Sequence, residues 1–177
     1  MQPTIQIGDH ILVSKLLNAP RFPGTPWHLP RLARISRGQV VSFRSPRQSE
    51  DVFVKRVVAL AGDTVEIHDG FLYVNGQMTR ERYATECRGT REMRRFRVPE
   101  ASLYVMGDNR DNSEDSRTWG PIRADSVVGE PLAVVWSIRS RSSDWFDDHN
   151  VFRQRIYLSA ALHLVAATRW SRTGLLL

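Results

Sequence analysis

A repeated alternation between short apolar segments and turn-forming residues constrains the fold of this chain more than any other feature. In eight segments, β-branched or aromatic side chains alternate with polar ones, a pattern typical of strands. Asp69-Gly70 separates two of these segments, and this dipeptide favours the two-residue turn of a β-hairpin. The sequence therefore predicts an all-β fold with irregular loops. The predicted strands cover residues 10–15, 39–44, 52–60, 64–68, 71–75, 96–98, 103–106 and 127–138.

One segment near the C-terminus has helical rather than strand periodicity. Its apolar residues recur three or four positions apart, so we expect a short C-terminal helix over residues 156–167. This run is well below the ~20 residues that a membrane-spanning helix needs. It either packs on the domain or lies in a membrane interface, with Arg169 and Trp170 at its edge.

The composition is that of a folded, basic domain. Of the 177 residues, 41% are hydrophobic and 25% are charged, which excludes an intrinsically disordered chain. The net charge of +6 suits either nucleic acid or an anionic membrane surface. Because no nucleic-acid-binding motif is present, we expect an anionic membrane surface and no nucleic acid as a partner. An arginine-rich stretch contributes much of the positive charge. A solvated surface loop explains this stretch at least as well as contact with lipid does. The stretch contains Arg88, Arg91, Arg94, Arg95 and Arg97.

The cysteine and histidine content gives no indication of a metal or cofactor site. Cys87 is the only cysteine, so an internal disulfide is excluded. The five histidines are scattered and lack the spacing of metal ligands. We therefore expect neither a metal nor a cofactor.

Lys55 is the first candidate catalytic residue, because it lies between apolar neighbours in a predicted strand. Strict alternation over residues 52–60 places it on one face with Phe53, Val57 and Ala59. A lysine held against apolar side chains loses hydration, which lowers its pKa and lets the neutral amine accept a proton. The alternative is a lysine that extends from the strand into water.

A dense polar run at residues 107–117 is the second candidate. It reads Gly-Asp-Asn-Arg-Asp-Asn-Ser-Glu-Asp-Ser-Arg and follows the predicted strand 103–106. So many groups able to pair with one another favour a network that holds a catalytic side chain in place. An acidic turn is the alternative, since Asn and Asp are common in turns.

These two features, with further boxes in the same order, resemble the type I signal peptidases, membrane-bound serine proteases that use a Ser-Lys dyad. Any one box is a weak signal, but an ordered series is a strong one. Gln39 stands where Asp is usual in the family, and Ala61 where Pro is common. The matching segments are residues 1–4, 7–13, 37–43, 55–63, 70–76, 107–121 and 169–174.

The resemblance places the nucleophilic serine immediately before Met1 and the family's membrane anchor further upstream. Two interpretations stay open. Either the protein continues upstream through that serine, which the intact downstream boxes favour, or the chain is a truncated product that cannot cleave by the family mechanism. Ser14 is no obvious substitute, because it is an ordinary residue of a predicted strand.

The resemblance also implies roles for residues within the chain. Lys55 would be the general base, and Ser113 would orient it through a hydrogen bond. A catalytic β module would comprise residues 1–62 plus 103–177, with a smaller β module inserted at residues 63–102. The supporting network would pair Asp108 with Arg56 and Asp115 with Arg117.

A substrate and a location are implied as well. Family members remove signal peptides from secreted preproteins after small residues (Ala-x-Ala), on the extracytoplasmic, periplasmic face of the bacterial cytoplasmic (inner) membrane. An extended peptide would pair with the strand at residues 51–55. Pockets for the small side chains would be lined by Met1, Ile5, Phe53 and Val54, for which core packing is the alternative. Other readings are an inactive relative that binds peptides or membranes, and a pilus-maturation Ser-Lys peptidase.

Overall fold

The computed structural model describes residues 1–17, 34–46, 51–84, 92–138 and 168–177. These residues form eleven strands and one four-residue α-helix, so the predicted all-β fold class is confirmed. The predicted helix at residues 156–167 and Cys87 lie outside the described residues. The strands are β1 (Asp9–Ser14), β2 (Val40–Arg44), β3 (Val52–Leu60), β4 (Thr64–His68), β5 (Phe71–Val74), β6 (Gln77–Met78), β7 (Met93–Arg97), β8 (Ser102–Met106), β9 (Ile122–Arg123), β10 (Val127–Ser137) and β11 (Leu175–Leu176), and the helix is α1 (Ser116–Trp119). Single turns of 3-10 helix occur at Arg110–Asn112, Ala124–Ser126 and Trp170–Arg172.

The first compact unit comprises residues 1–4 and 13–131. Its larger sheet has the strand order β10-β2-β3-β8-β9, and neighbours in this order are antiparallel. Strands β2, β3 and β8 contain several valines, whose branched side chains suit a buried, pleated strand. They pack into an apolar cluster that includes the fully buried residues Val41, Phe43, Val57 and Val105.

A β-bulge in β3 changes the faces that strict alternation predicts for this strand. The register against β8 shifts between Val57 and Ala59, because these two residues oppose consecutive residues of β8. Val58 and Ala59 consequently belong to one apolar cluster, while Val57 belongs to the other. The expectation that Ala59 shares a face with Lys55 is therefore wrong, since the extra residue of the bulge reverses the alternation.

The smaller sheet of the first unit has the order β6-β5-β4-β7. Its two tight turns have positive φ at both central residues: 50° and 78° at Asp69 and Gly70, and 54° and 77° at Asn75 and Gly76. Two consecutive left-handed residues are typical of the type I′ turn, whose twist matches that of paired strands. The hairpin predicted at Asp69-Gly70 is confirmed, because the residues that flank this dipeptide pair with each other.

The apolar core is continuous between the two sheets of the first unit. One cluster contains Val58 and Met106 from the larger sheet together with Val65, Ile67 and Leu72 from the smaller one. Both sheets therefore belong to one compact unit. The inserted module over residues 63–102 stays a prediction.

The second compact unit comprises residues 5–12 and 132–177, and the carboxylate of Asp9 is its polar centre. The Asp9 side chain is fully buried and lies 3.2 Å from Arg169 Nη2 and 2.6 Å from Arg172 Nη2. It also accepts a hydrogen bond from Ser137 Oγ at 2.6 Å. Burial alone would raise the pKa of Asp9, but the hydrogen bonds from Arg172, Ser137 and the Gln6 backbone outweigh it and lower the pKa.

Candidate active site

Strand β3 carries Lys55 into the larger sheet, where its amine is partly buried. Burial is the largest cause that lowers the pKa of Lys55 below its ordinary value. The carboxylates of Asp115, Glu114 and Asp108 raise this pKa, and the cation of Arg117 lowers it. The loss of hydration outweighs these carboxylates, so Lys55 loses its proton more easily than a lysine in water does.

The polar loop that follows β8 brings Ser113 to this amine. Lys55 Nζ donates a hydrogen bond to Ser113 Oγ at 2.8 Å. The Ser113 hydroxyl in turn bonds to the Asp115 carboxylate and helps to lower its pKa. A hydroxyl that accepts from the amine and donates to a carboxylate fixes the direction of the lysine side chain. The lysine therefore points at the loop.

Gly107 makes the contact between Lys55 and Ser113 sterically possible. A Cβ atom at position 107 would lie 2.2 Å from Ser113 Oγ, 2.7 Å from Ser113 Cβ and 3.4 Å from Lys55 Nζ. Cβ atoms essentially never approach other heavy atoms more closely than 3.0 Å. The pair therefore requires a residue without a side chain at this position.

Asp115 ties the start of the loop to its end. Its fully buried carboxylate accepts hydrogen bonds from the backbone N–H groups of Gly107 at 3.0 Å and of Arg117 at 3.2 Å, the second as the N-cap of α1. The Arg117 guanidinium donates to both carboxylate oxygens at 2.8 Å. Burial alone would raise the pKa of Asp115, but Arg117 and the Gly107 N–H outweigh it and lower the pKa. Asp115 is thus ionised and links the start of the loop to its end through hydrogen bonds.

Arg56 and Asp108 form a second buried pair, which joins β3 to the loop. Nε and Nη2 of Arg56 donate to the two Asp108 oxygens at 2.9 and 2.8 Å, and Nη1 donates to the Gly38 carbonyl at 2.7 Å. Thr4 donates to Asp108 as well. This one carboxylate therefore fixes the strand beside Lys55, the loop beside Gly107 and the segment of residues 1–4.

The four residues expected to line the substrate pockets lie in different surroundings. Phe53 packs edge-on against Phe43 with their ring centroids 6.3 Å apart, which is a core contact. Val54 and Met1 are partly buried in the first unit, and Ile5 is partly buried in the second. A role for these residues in substrate binding stays a prediction.

One edge of β3 is open beside Phe53 and Val54. Residues 52–56 pair with β2, whereas pairing with β8 on the opposite edge begins only at Arg56. Within the described ranges, no strand covers the second edge of residues 52–55. An open edge of this kind can accept an extended peptide as an additional strand.

Two residues that contact this network were not predicted from the sequence. Glu81 lies 2.5 Å from Arg110 of the polar loop, and both side chains are nearly fully buried. The Tyr83 ring centroid lies 3.8 Å from the guanidinium carbon of Arg56. The charged run at residues 80–82, followed by a tyrosine, was the available signal, but a run of charges does not reveal which distant residues it contacts.

A family model described as signal peptidase, peptidase S26, matches residues 1–136. Signal peptidase I of Pseudomonas aeruginosa is 33% identical over 175 residues, which cover 77% of this chain and 62% of that protein. Thylakoidal processing peptidase 1 of Arabidopsis thaliana is 31% identical over 169 residues, covering 90% of this chain and 46% of that protein. The solved structure of a signal peptidase I from Enterococcus faecalis matches with a TM-score of 0.50 and 31% identity, covering 55% of this chain and 97% of that one.

The chain spans 46 to 62% of the length of these two relatives. Among the residues that the structure describes, no helix has the length and apolar character that crossing a bilayer requires. The family model matches most of the chain, and a solved relative resembles the chain in both sequence and fold. The chain therefore belongs to the signal peptidase family, peptidase S26.

Proposed function

We propose that this chain is the catalytic part of a type I signal peptidase, in which Lys55 is the general base and a serine immediately before Met1 is the nucleophile. The observation that carries the proposal is the 2.8 Å hydrogen bond from Lys55 to Ser113 within a buried polar network. The lowered pKa of Lys55 supports it, because a general base has to lose its proton near the working pH.

The surroundings of the Met1 α-amino group support this position for the nucleophile. Burial is the largest cause that lowers the pKa of this amine, and the positive charge of Lys55 lowers it further. The two nitrogens therefore interact electrostatically in a partly desolvated environment. The hydrogen bond from Thr4 to Asp108, which also binds Arg56 next to Lys55, holds residues 1–4 beside the strand that carries the proposed base.

In the proposed reaction, the serine hydroxyl attacks the carbonyl carbon of the scissile bond and its proton passes to neutral Lys55 Nζ. The tetrahedral intermediate then collapses, the C–N bond breaks, and Lys55 returns the proton to the leaving amine. Water attacks the acyl-enzyme in the second half, again with Lys55 as the base, and the serine is regenerated. Ser113 accepts a hydrogen bond from one N–H of the amine, which leaves the nitrogen lone pair free to accept the proton of the nucleophile.

The proposed substrates are the signal peptides of secreted preproteins. The open edge of residues 52–55 would hold the peptide in an extended conformation. Met1, Ile5, Phe53 and Val54 would wall shallow pockets that accept only small side chains, which gives cleavage after Ala-x-Ala. The proposed location is the extracytoplasmic face of the bacterial cytoplasmic membrane, where the net charge of +6 favours contact with anionic headgroups.

The test uses the serine-extended chain, which is the 177-residue sequence preceded by a serine. We expect it to cleave a preprotein once, after an Ala-x-Ala sequence, as located by mass spectrometry of the products. Lys55→Met should lower kcat by at least about 10³-fold, since it removes the base and leaves only binding and electrostatic contributions.

Lys15→Met is the matched control, because Lys15 is the only other lysine in the sequence and its side chain is exposed. This variant should cleave at the unmodified rate. The proposal fails if the serine-extended chain cuts no preprotein, or if cleavage survives Lys55→Met.

A further inference from the structure

The strap, defined as residues 79–84, follows β6 in the smaller sheet and contacts the polar loop. We propose that Glu81 and Tyr83 of the strap are positioning residues, which hold the Lys55–Ser113 pair in its catalytic geometry. The inference rests on the proposed function, because it adds residues to the same site. Neither residue contacts the pair directly; each acts through a buried arginine.

Glu81 is bound through both of its carboxylate oxygens. Oε2 lies 2.5 Å from Arg110 Nη1, with 7% and 1% of the two side chains exposed. Oε1 accepts a hydrogen bond from the Tyr83 hydroxyl at 3.0 Å. A buried ion pair offsets its loss of hydration only when the geometry is good and the remaining lone pairs are satisfied, and Tyr83 satisfies one of them. The strap is therefore fastened to the loop in one specific arrangement.

Arg110 connects the strap to the catalytic pair. Its Nε donates to the Gly107 carbonyl at 3.0 Å, within the buried interior. Gly107 lies so close to Ser113 that a Cβ atom at position 107 would be 2.2 Å from the hydroxyl oxygen. Arg117 Nη2 donates to the Arg110 carbonyl at 2.7 Å. A shift of Arg110 would consequently move the backbone against which Ser113 packs.

Tyr83 makes the corresponding contact on the strand side. Its ring centroid lies 3.8 Å from the Arg56 guanidinium carbon, within the range of a cation–π interaction. Arg56 directly follows Lys55 in β3 and binds Asp108 through two hydrogen bonds. The strap thus contacts both chain segments that meet at the site, the strand with the base and the loop with the residue that orients it.

Open space borders the strap, so its position depends on these anchors. Cavities of about 360 and 330 Å³ lie along it, and residues 78–81 contribute to both. Its first residue, Thr79, is held by a backbone hydrogen bond to the Leu72 carbonyl at 2.8 Å. A segment bordered by cavities has room to rearrange when a polar anchor is removed.

The first experiment compares Glu81→Gln with Glu66→Gln in the serine-extended chain. Glu66 is a matched control, since it lies in β4 of the smaller sheet, which the strap follows, and pairs with Arg95 at 3.1 Å, but 65% of the arginine side chain is exposed. We expect Glu81→Gln to lower kcat about tenfold or more with KM within about twofold, because orientation matters most in the transition state. Glu66→Gln should change neither. An unchanged kcat in Glu81→Gln, or an effect on KM alone, would overturn the proposal.

A double variant separates positioning from folding. Glu81→Met with Arg110→Met replaces the ion pair by apolar side chains, an exchange that usually preserves stability. It also deletes the hydrogen bond to the Gly107 carbonyl. We expect this variant to melt near the wild-type temperature, because the gain from removing buried charges is offset by the hydrogen bonds lost from Tyr83 and Gly107, and still to turn over slowly. Recovery of the wild-type kcat would show that the pair only holds the fold, and the proposal would fail.

A readout that does not require cleavage distinguishes this inference from the proposed function. Labelling with [ε-¹³C]lysine gives two NMR signals, since Lys15 and Lys55 are the only lysines. We expect Glu81→Gln to raise the pKa of Lys55 because the loosened loop admits water, and to leave Lys15 unchanged. Deleting the carboxylate charge alone would lower the pKa of Lys55 instead.

An unchanged or lowered Lys55 titration therefore overturns the positioning role, whether or not the wild type cleaves. If the Lys55 signal responds as expected but the serine-extended chain cuts no preprotein, the positioning role stands and the proposed function fails.

Discussion

Replacement of Gly107 by alanine tests the geometry of the site most directly. The new Cβ atom would lie 2.2 Å from Ser113 Oγ, where ordinary contacts begin at 3.4 Å, so the hydroxyl would have to retreat by about 1.2 Å. A change of rotamer is insufficient, because Ser113 Cβ would itself be only 2.7 Å away. The backbone of the loop therefore has to move. The hydrogen bond from Lys55, now 2.8 Å, would lengthen beyond hydrogen-bonding range.

Two magnitudes follow for Gly107→Ala. A displacement of about 1 Å in a catalytic group costs on the order of 10²-fold in rate, so kcat of the serine-extended chain should fall by about that factor. The forced packing should also cost about 1–3 kcal/mol of unfolding free energy, measured by urea denaturation. KM should change little, because the open edge of β3, where we propose that the peptide binds, is not displaced.

Gly120→Ala is the control for this experiment. Gly120 has a φ of +85° and a ψ of −174°, a region that essentially only glycine adopts, and no neighbouring atom lies within 4 Å of an added Cβ, so its replacement costs about 1–3 kcal/mol of backbone strain without a clash. Its kcat should be unchanged. If Gly107→Ala kept kcat within about threefold of the wild type, less than 1 kcal/mol of barrier would separate them and the steric reasoning would be refuted.

Three further predictions concern charge and pH. Lys55→Met should stabilise the 177-residue chain at neutral pH, because folding lowers the pKa of Lys55 and the charged lysine therefore destabilises the fold. This destabilisation is complete below the folded pKa and disappears above the unfolded value of 10.5. Urea denaturation should accordingly show a gain in unfolding free energy at neutral pH that vanishes in alkali. Glu114→Gln removes a carboxylate that raises the pKa of Lys55, so the acidic limb of kcat/KM against pH should move to lower pH, and a move to higher pH would contradict the electrostatic account. Asp9→Asn should cost about 3 kcal/mol at pH 7, since it leaves two arginines without their buried partner. Because the folded pKa of Asp9 lies below 3.8, the loss of unfolding free energy should persist above pH 3.8 and shrink as the pH falls through the folded pKa. A loss that did not change in acid would contradict the lowered pKa of Asp9.

Local sequence patterns were sufficient to predict the strands and the first hairpin. The run 52–60 was predicted as a strand and is β3, because seven of its nine residues are β-branched or otherwise apolar, which leaves few alternatives. Asp69-Gly70 indicated its turn because few dipeptides tolerate two left-handed residues. Strands β6, β9 and β11 were missed, since each has two residues and no periodicity can be read from so short a segment.

Contacts between distant segments could not be predicted from local patterns. The bulge at Val58 arises where β3 meets β8, and neither strand alone encodes the extra residue. Glu81 and Arg110 carry opposite charges among many other charged residues, so the sequence does not specify that they pair. Gly107 was recognised as part of a polar run, but its necessity appears only once Ser113 and Lys55 are seen beside it.

Asp9 is synthesised long before the cations that neutralise it. It lies 163 positions from Arg172, so at ~5–20 residues per second roughly 10 to 30 s separate their appearance during translation. During this interval the carboxylate has to remain hydrated, because burial without its partners would be too costly. The segment around Asp9 therefore stays open until Arg172 has been made, and this part of the second unit closes only after that point.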